Sequence, residues 1–264
     1  MLSRLQGRFL YFPERGFVAG PGDYGFAHYE DLRLSTEDGL LVHAWWLPVE
    51  EATRSVLFLH GNAGNVSYWV EVATVFREVG WNTLLLDYRG YGRSQGEPDE
   101  AGTYLDARAA WRHLTEQRGI DPSRIVIAGR SLGGGVATWL AERVRPAGLL
   151  LEATFTSIAD VVAKMMPLPG VRGFVRLGYP SIERMPRLRM PLLVVHGRQD
   201  ELVPFGQGRR LFEAAAGPKR FVELRGGHND AFAIDRVTYL QALRDFESTL
   251  DRSGSDPDVR NNGV

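Results

Sequence analysis

Gly129-Arg130-Ser131-Leu132-Gly133 spells G-x-S-x-G, and its flanks make it the most constraining stretch of the chain. Arg124-Ile125-Val126-Ile127-Ala128 before it has the length and β-branched content of a buried parallel strand. The run from Gly134 to Arg143 after it has helical spacing. A strand that folds straight back into a helix around one serine leaves no room for a Cβ on either side, and Gly129 and Gly133 supply that room. In such a setting the turn is a nucleophile elbow: it holds Ser131 in a sparsely populated backbone conformation and lifts its hydroxyl clear of the sheet. A serine hydroxyl is a weak nucleophile until a base takes its proton, so the rest of the chain must supply a base and a group that orients it.

Both groups follow in order. Asp200 comes after the apolar run Pro191-Leu192-Leu193-Val194-Val195, and His228 lies in Arg225-Gly226-Gly227-His228-Asn229-Asp230. Serine, acid, histidine is the chain order of α/β-hydrolases and not that of chymotrypsin-like or subtilisin-like enzymes. His228 is therefore the expected base and Asp200 the residue that orients it. His60 and His196, at strand ends, are expected to bond nearby loops. Glu152, which ends Leu149-Leu150-Leu151-Glu152, is the rival acid; Asp230 is too close to His228 in sequence to reach its ring easily. Upstream, Ser55-Val56-Leu57-Phe58-Leu59 runs into His60-Gly61-Asn62-Ala63-Gly64-Asn65. There the backbone N–H of Asn62 is expected to join that of Leu132 as an oxyanion hole. Asn65 is placed to cap the helix that follows.

Apolar runs and helical spacing alternate along the chain. Alternating segments at 29–34 and 40–47 form an expected hairpin. Strands are then expected at 56–60, 83–87, 124–129, 148–152, 191–196 and 220–224, and helices near 66–79, 100–117, 132–144, 205–215 and 232–250. This rhythm predicts an α/β fold: a mostly parallel twisted sheet of about eight strands with helices on both faces. Residues 153–190 break the rhythm with Pro167, Pro169, Pro180 and Pro186, and are expected to form a small helical cap. Phe155, Met165, Met166, Phe174 and Tyr179 would line an acyl pocket under it, or else only fasten the insert to the core. One domain is expected over 1–252, with a disordered tail at 253–264.

Composition excludes several classes. The formal net charge of −1 offers no footprint for nucleic acid. No run of 18 apolar residues is present to span a membrane, and the start lacks the unbroken apolar stretch of a secretion signal. A cytoplasmic location is expected on that basis. With no cysteine, disulfides, thiol nucleophiles and thiolate metal sites are out; no His/Glu cluster has ligand spacing, so neither metal nor other cofactor is expected. Gly20-Pro21-Gly22-Asp23-Tyr24-Gly25 fits G-x-G-x-x-G but neither follows a buried strand nor opens a helix. Asp87-Tyr88-Arg89-Gly90-Tyr91-Gly92-Arg93-Ser94 is expected to be a structural turn pinned by Arg89.

Leu10-Tyr11-Phe12-Pro13, His60 to Asn65, Asp87 to Gly92, Gly129 to Gly134, Phe155-Thr156-Ser157, His196-Gly197-Arg198-Gln199-Asp200 and Gly226 to Asp230 together resemble the α/β-hydrolase superfamily over nearly the whole chain. The chain is similar in particular to the short-capped branch of bud-emergence (Bem-like) hydrolases and their bacterial relatives. The resemblance implies Ser131, Asp200 and His228 as a catalytic triad acting on a small-molecule ester or thioester. Many relatives carry an N-terminal membrane anchor, which this chain is not expected to have. Amide or peptide cleavage by the same triad, and a catalytically silent binding protein on the same fold, are the alternatives. A cap of fewer than 40 residues implies short to medium acyl chains.

Overall fold

The computed structural model describes residues 10–165 and 178–254. Among them, eight strands form the main sheet: β1 (Glu30–Ser35), β2 (Leu41–Leu47), β3 (Arg54–Leu59), β4 (Trp81–Leu86), β5 (Ile125–Arg130), β6 (Gly148–Glu152), β7 (Leu192–Gly197) and β8 (Lys219–Leu224). Their order across the sheet is β8-β7-β6-β5-β3-β4-β2-β1. β2 is antiparallel to β1 and β4; every other pair is parallel. The helices are α1 (Val70–Glu78), α2 (Glu100–Arg112), α3 (Leu132–Arg143), α4 (Ile158–Met165), α5 (Ser181–Arg184), α6 (Phe205–Ala214), α7 (Ala231–Ile234) and α8 (Arg236–Gly254).

Side chains alternate across a strand, so each strand feeds two cores. Leu57, Leu59, Ile127, Leu149, Leu151 and Val194 enter one, with Ala110 of α2 and Val136 and Leu140 of α3. Val56, Phe58, Val126, Leu150, Leu193 and Val195 enter the other, with Phe76 of α1 and Tyr239, Leu243 and Phe246 of α8. Burial on both faces is why the central strands are continuous apolar runs rather than alternating ones. All six residues of β3, β5 and β7 are buried, whereas β1, at the edge, is largely exposed.

The topology positions the site. The chain goes from β3 outward to β4, then crosses back over β3 to β5. Ligands of open α/β sheets bind beyond the carboxyl ends of the strands, where the order reverses. His60, Asp87 and Ser131 directly follow the ends of β3, β4 and β5, Glu152 closes β6, and Asp200 and His228 lie a few residues beyond β7 and β8.

Three expected helices differ in detail. The segment at 66–79 is a 3-10 turn, Val66–Tyr68, followed by α1; Asn65 caps the turn by accepting from Ser67 N–H at 3.0 Å. The segment at 100–117 is α2 continued by a wider turn, with Arg118 N–H bonded to the His113 carbonyl at 3.0 Å. The closing helix breaks into α7 and α8 at Asp235, whose carboxylate accepts from the Arg225 backbone N–H at 3.1 Å and the Thr238 hydroxyl at 2.8 Å. α8 also runs to Gly254, two residues past the expected end of the domain; residues 255–264 lie outside those described.

The Asp87–Ser94 turn is pinned as expected. Arg89 grips Asp106 through Nε at 3.0 Å and Nη2 at 2.8 Å, and Asp38 through Nη1 at 2.8 Å. Hydrogen bonds from Arg89 and Thr36 hold the Asp38 carboxyl down at about 2. Gly20–Gly25 contains a 3-10 turn, Pro21–Tyr24, far from any phosphate-binding context.

Of the insert, the described parts are the Ala153–Ser157 loop, α4, α5 and the residues up to Met190. Tyr179 is fully buried; its hydroxyl meets Tyr11 at 2.8 Å and Thr103 at 2.9 Å, and its ring lies edge-on to Tyr104. Phe155 is buried in the same core. Tyr179 thus fastens the insert to α2 and the N-terminal segment. Met166 and Phe174 lie outside the described residues, as does the side chain of Met165.

Candidate active site

The elbow is built by close approach. A Cβ on Gly129 would lie 2.4 Å from the Gly133 carbonyl oxygen, and one on Gly133 would lie 1.9 Å from that of Leu59. Between them Ser131 takes φ 51° and ψ −116°, outside the left-handed helical basin and open to few L residues. The conformation is held from both sides. Ser131 N–H donates to the Glu152 carbonyl at 2.9 Å, and its own carbonyl accepts from Thr154 Oγ1 at 2.6 Å.

His228 sits between the other two groups. Its Nδ1 is 2.8 Å from Asp200 Oδ2 and its Nε2 is 3.1 Å from Ser131 Oγ. A carboxylate only accepts, so Nδ1 carries the proton and Nε2 presents its lone pair to the serine hydroxyl. Burial alone would raise the Asp200 pKa. Hydrogen bonds from His196 and His228, with the Val203 N–H at 2.7 Å, outweigh it and hold the carboxyl well below the usual range. His196 donates through Nε2 to the Val203 carbonyl at 2.9 Å, which places the same nitrogen 3.2 Å from Asp200 Oδ2. It braces the acid's loop, as expected of a strand-end histidine. The backbone N–H groups of Asn62 and Leu132 make no hydrogen bond with other described residues.

Glu152 is engaged elsewhere. It pairs with the buried Arg130 and accepts from the Tyr239 hydroxyl at 3.0 Å. Arg130 in turn donates to the His228 carbonyl at 2.5 Å and lies 4.9 Å from the Trp69 ring centroid. The variable residue of the G-x-S-x-G motif therefore ties the elbow to the histidine loop, a role the linear motif did not reveal. Its signal was indirect: an arginine in an otherwise apolar strand must find a buried acid, and Glu152 was the nearest strand-end candidate. Removing one partner of such a pair strands the other charge. Glu152→Gln and Arg130→Met are each expected to cost about 3–5 kcal/mol, lowering Tm by roughly 10 °C, while the double variant Glu152→Leu/Arg130→Met recovers most of that loss. Thermal melts of the three variants check this; additive losses in the double variant would contradict it.

Known proteins share this frame. A family model of the alpha/beta hydrolase fold matches residues 54–150. An uncharacterised protein of Mycobacterium tuberculosis is 41% identical over 244 residues, covering 91% of this chain and 86% of its own. Protein bem46 of Schizosaccharomyces pombe is 32% identical, covering 89% of this chain and 82% of its own. Among solved structures, the Pyrococcus furiosus esterase Pf2001 superposes with a TM-score of 0.77 at 22% identity, over 91% of this chain and 97% of that one. The eight-stranded sheet, the elbow at the end of β5 and this extent of identity together show that the chain belongs to the α/β-hydrolase family, in the branch that contains bem46.

Proposed function

We propose that the protein is a serine hydrolase that cleaves carboxylic esters or thioesters through an acyl-enzyme. The observation that carries this reading is His228, 3.1 Å from the Ser131 hydroxyl and 2.8 Å from the Asp200 carboxylate. Ser131 Oγ attacks the acyl carbon while His228 Nε2 takes its proton. Asp200 keeps the imidazole in the required tautomer and stabilises the imidazolium that forms. The negative charge that develops on the acyl oxygen is met by the N–H groups of Asn62 and Leu132. Collapse of the adduct expels the alcohol or thiol, protonated by His228. Water then attacks the acyl-serine by the same route, giving the acid and free Ser131. Every proton and electron pair comes from the chain, the substrate and water.

A fluorophosphonate probe is expected to label the folded wild type covalently and to spare Ser131→Ala. A folded wild type that stays unlabelled would remove the basis of this reading. A cytoplasmic location belongs to the same proposal. Among the described residues no helix is long and apolar enough to cross a membrane. Recovery of the protein with the membrane pellet after cell lysis would overturn that part.

The small insert supports short to medium acyl chains. Each buried CH₂ contributes ~0.8 kcal/mol, so kcat/KM on p-nitrophenyl esters should rise about fourfold per carbon until the pocket is full, then fall. Rates that climb steadily out to palmitate, or that ignore chain length, would contradict it.

A further inference from the structure

Three successive carbonyls after β3 are each held by a buried side chain. Tyr88 Oη donates to the His60 carbonyl at 3.1 Å. His60 Nδ1 donates to the Gly61 carbonyl at 2.7 Å, and Tyr91 Oη donates to the Asn62 carbonyl at 2.6 Å. A carbonyl cannot donate, so His60 must carry its proton on Nδ1. Its Nε2 then has no hydrogen-bond partner among the described residues and lies 3.7 Å from Asp87 Oδ1. Leaving a ring nitrogen unpaired in a buried site is costly, and here the other nitrogen alone makes the contact that the fold uses.

That contact has a geometric consequence. In a trans peptide the C=O and N–H of one unit point in opposite directions. The Gly61 carbonyl and the Asn62 N–H belong to the same unit. Fixing the oxygen against His60 therefore fixes the direction of the Asn62 N–H. The unit lies beside the nucleophile: a Cβ on Gly61 would be 3.6 Å from Ser131 Cβ. Tyr91 fixes the next peptide, so both planes flanking the Asn62 Cα are held. The loop is braced from outside as well. Asn62 Nδ2 donates to the Leu10 carbonyl, and Phe12–Pro13 pairs in parallel with Ala63–Gly64.

We propose that His60 and Tyr91 are positioning residues of the oxyanion hole, and that the Asp87–Ser94 turn is there to deliver Tyr91 to it. The proposal rests on the serine-hydrolase reading above. It gives the turn a task beyond its own stability: Arg89 and its two carboxylates hold the turn, the turn presents Tyr88 and Tyr91, and these hold the His60 and Asn62 carbonyls of the loop after β3. Burial lowers the His60 pKa and raises that of Tyr91, so the imidazole stays neutral and the phenol stays a donor.

Preorganised donors act on the transition state and not on the bound ester, so their misalignment should appear in kcat and in the binding of tetrahedral adducts. Loss of a whole oxyanion donor typically costs 10²- to 10³-fold, and a loosened one less. The test uses Tyr91→Phe, His60→Leu and His60→Asn, with p-nitrophenyl butyrate as substrate and an alkyl trifluoromethyl ketone as adduct-forming inhibitor. Tyr91→Phe is expected to lower kcat about tenfold and His60→Leu between about tenfold and 10²-fold, with KM within about twofold. The ketone Ki should rise by the same factor as kcat falls. His60→Asn, whose amide can donate from nearly the position of Nδ1, should recover much of the loss. Unchanged kcat in folded Tyr91→Phe and His60→Leu would overturn the proposal. So would a fall in kcat with no change in ketone affinity, or equal losses in His60→Asn and His60→Leu. A wild type that fluorophosphonate does not label would overturn the serine-hydrolase reading, and this inference with it.

Discussion

Ser131→Ala is expected to lower kcat by on the order of 10⁶-fold, close to the removal of all covalent catalysis. What survives should be the slower hydrolysis that the oxyanion donors and binding alone can promote. The fold should be untouched, because the residue's backbone bonds to Glu152 and Thr154 do not involve its side chain. A second substitution separates strain from chemistry. At φ 51° and ψ −116° a residue with a Cβ stores about 1–3 kcal/mol, which glycine would release. Glycine gives back about 0.5–1 kcal/mol through the freedom of the unfolded chain. Strain release is the larger effect. Ser131→Gly should therefore melt a few degrees above wild type while being as inactive as Ser131→Ala. Activity retained by either variant, or a glycine variant that melts below the alanine one, would contradict this account.

Asp200→Asn is expected to cost about 10⁴-fold in kcat, because an amide in place of the carboxylate no longer dictates the tautomer of His228. Glu152→Gln should leave much more activity and lose stability instead, since Glu152 faces Arg130 and Tyr239 and not the His228 ring. The pH dependence of stability has a definite sign. The folded pKa of Asp200 lies below the ~3.9 of an unfolded aspartate. Its charge therefore contributes stability in full above about pH 4, and that contribution is lost as pH falls through the folded value. The melting difference between wild type and Asp200→Asn should be flat from neutral pH down to about 4 and shrink below it. A difference that instead shrinks as pH rises above 7 would show that another group dominates.

Legibility followed the range of the interaction. The elbow was visible because its demands are local: two glycines and a serine within five residues, a buried strand before and a helix after. The sheet was visible because burial on both faces leaves continuous apolar runs. Helix ends were less so. Where the closing helix breaks, the Asp235 carboxylate takes the Arg225 N–H, ten residues back, a contact that helical spacing does not encode. The spacing left Tyr179 open between an acyl pocket and a fastening role; its hydroxyl is bound to Tyr11 and Thr103 and its ring packs in the core, contacts that come from distant parts of the chain.

By itself the sequence determined the order of strands and helices, the elbow at Ser131, and a short set of acids and histidines at strand ends, since these depend on local periodicity and on which residues a tight turn tolerates. It favoured Asp200 over Glu152 without excluding the latter. Both end or follow a strand on the same edge of the sheet, and only the folding of the β7 and β8 loops toward each other puts Asp200 2.8 Å from His228, while Arg130 takes Glu152. The hydrogen bonds that hold the carbonyls of residues 60–62 were likewise invisible. His60 touches the carbonyl next to it in sequence, but Tyr88 and Tyr91 arrive from the turn after β4, 28 and 29 residues away. Hydrogen bonds are short-ranged and directional, so which polar groups meet across strands is settled only when packing brings their backbones together.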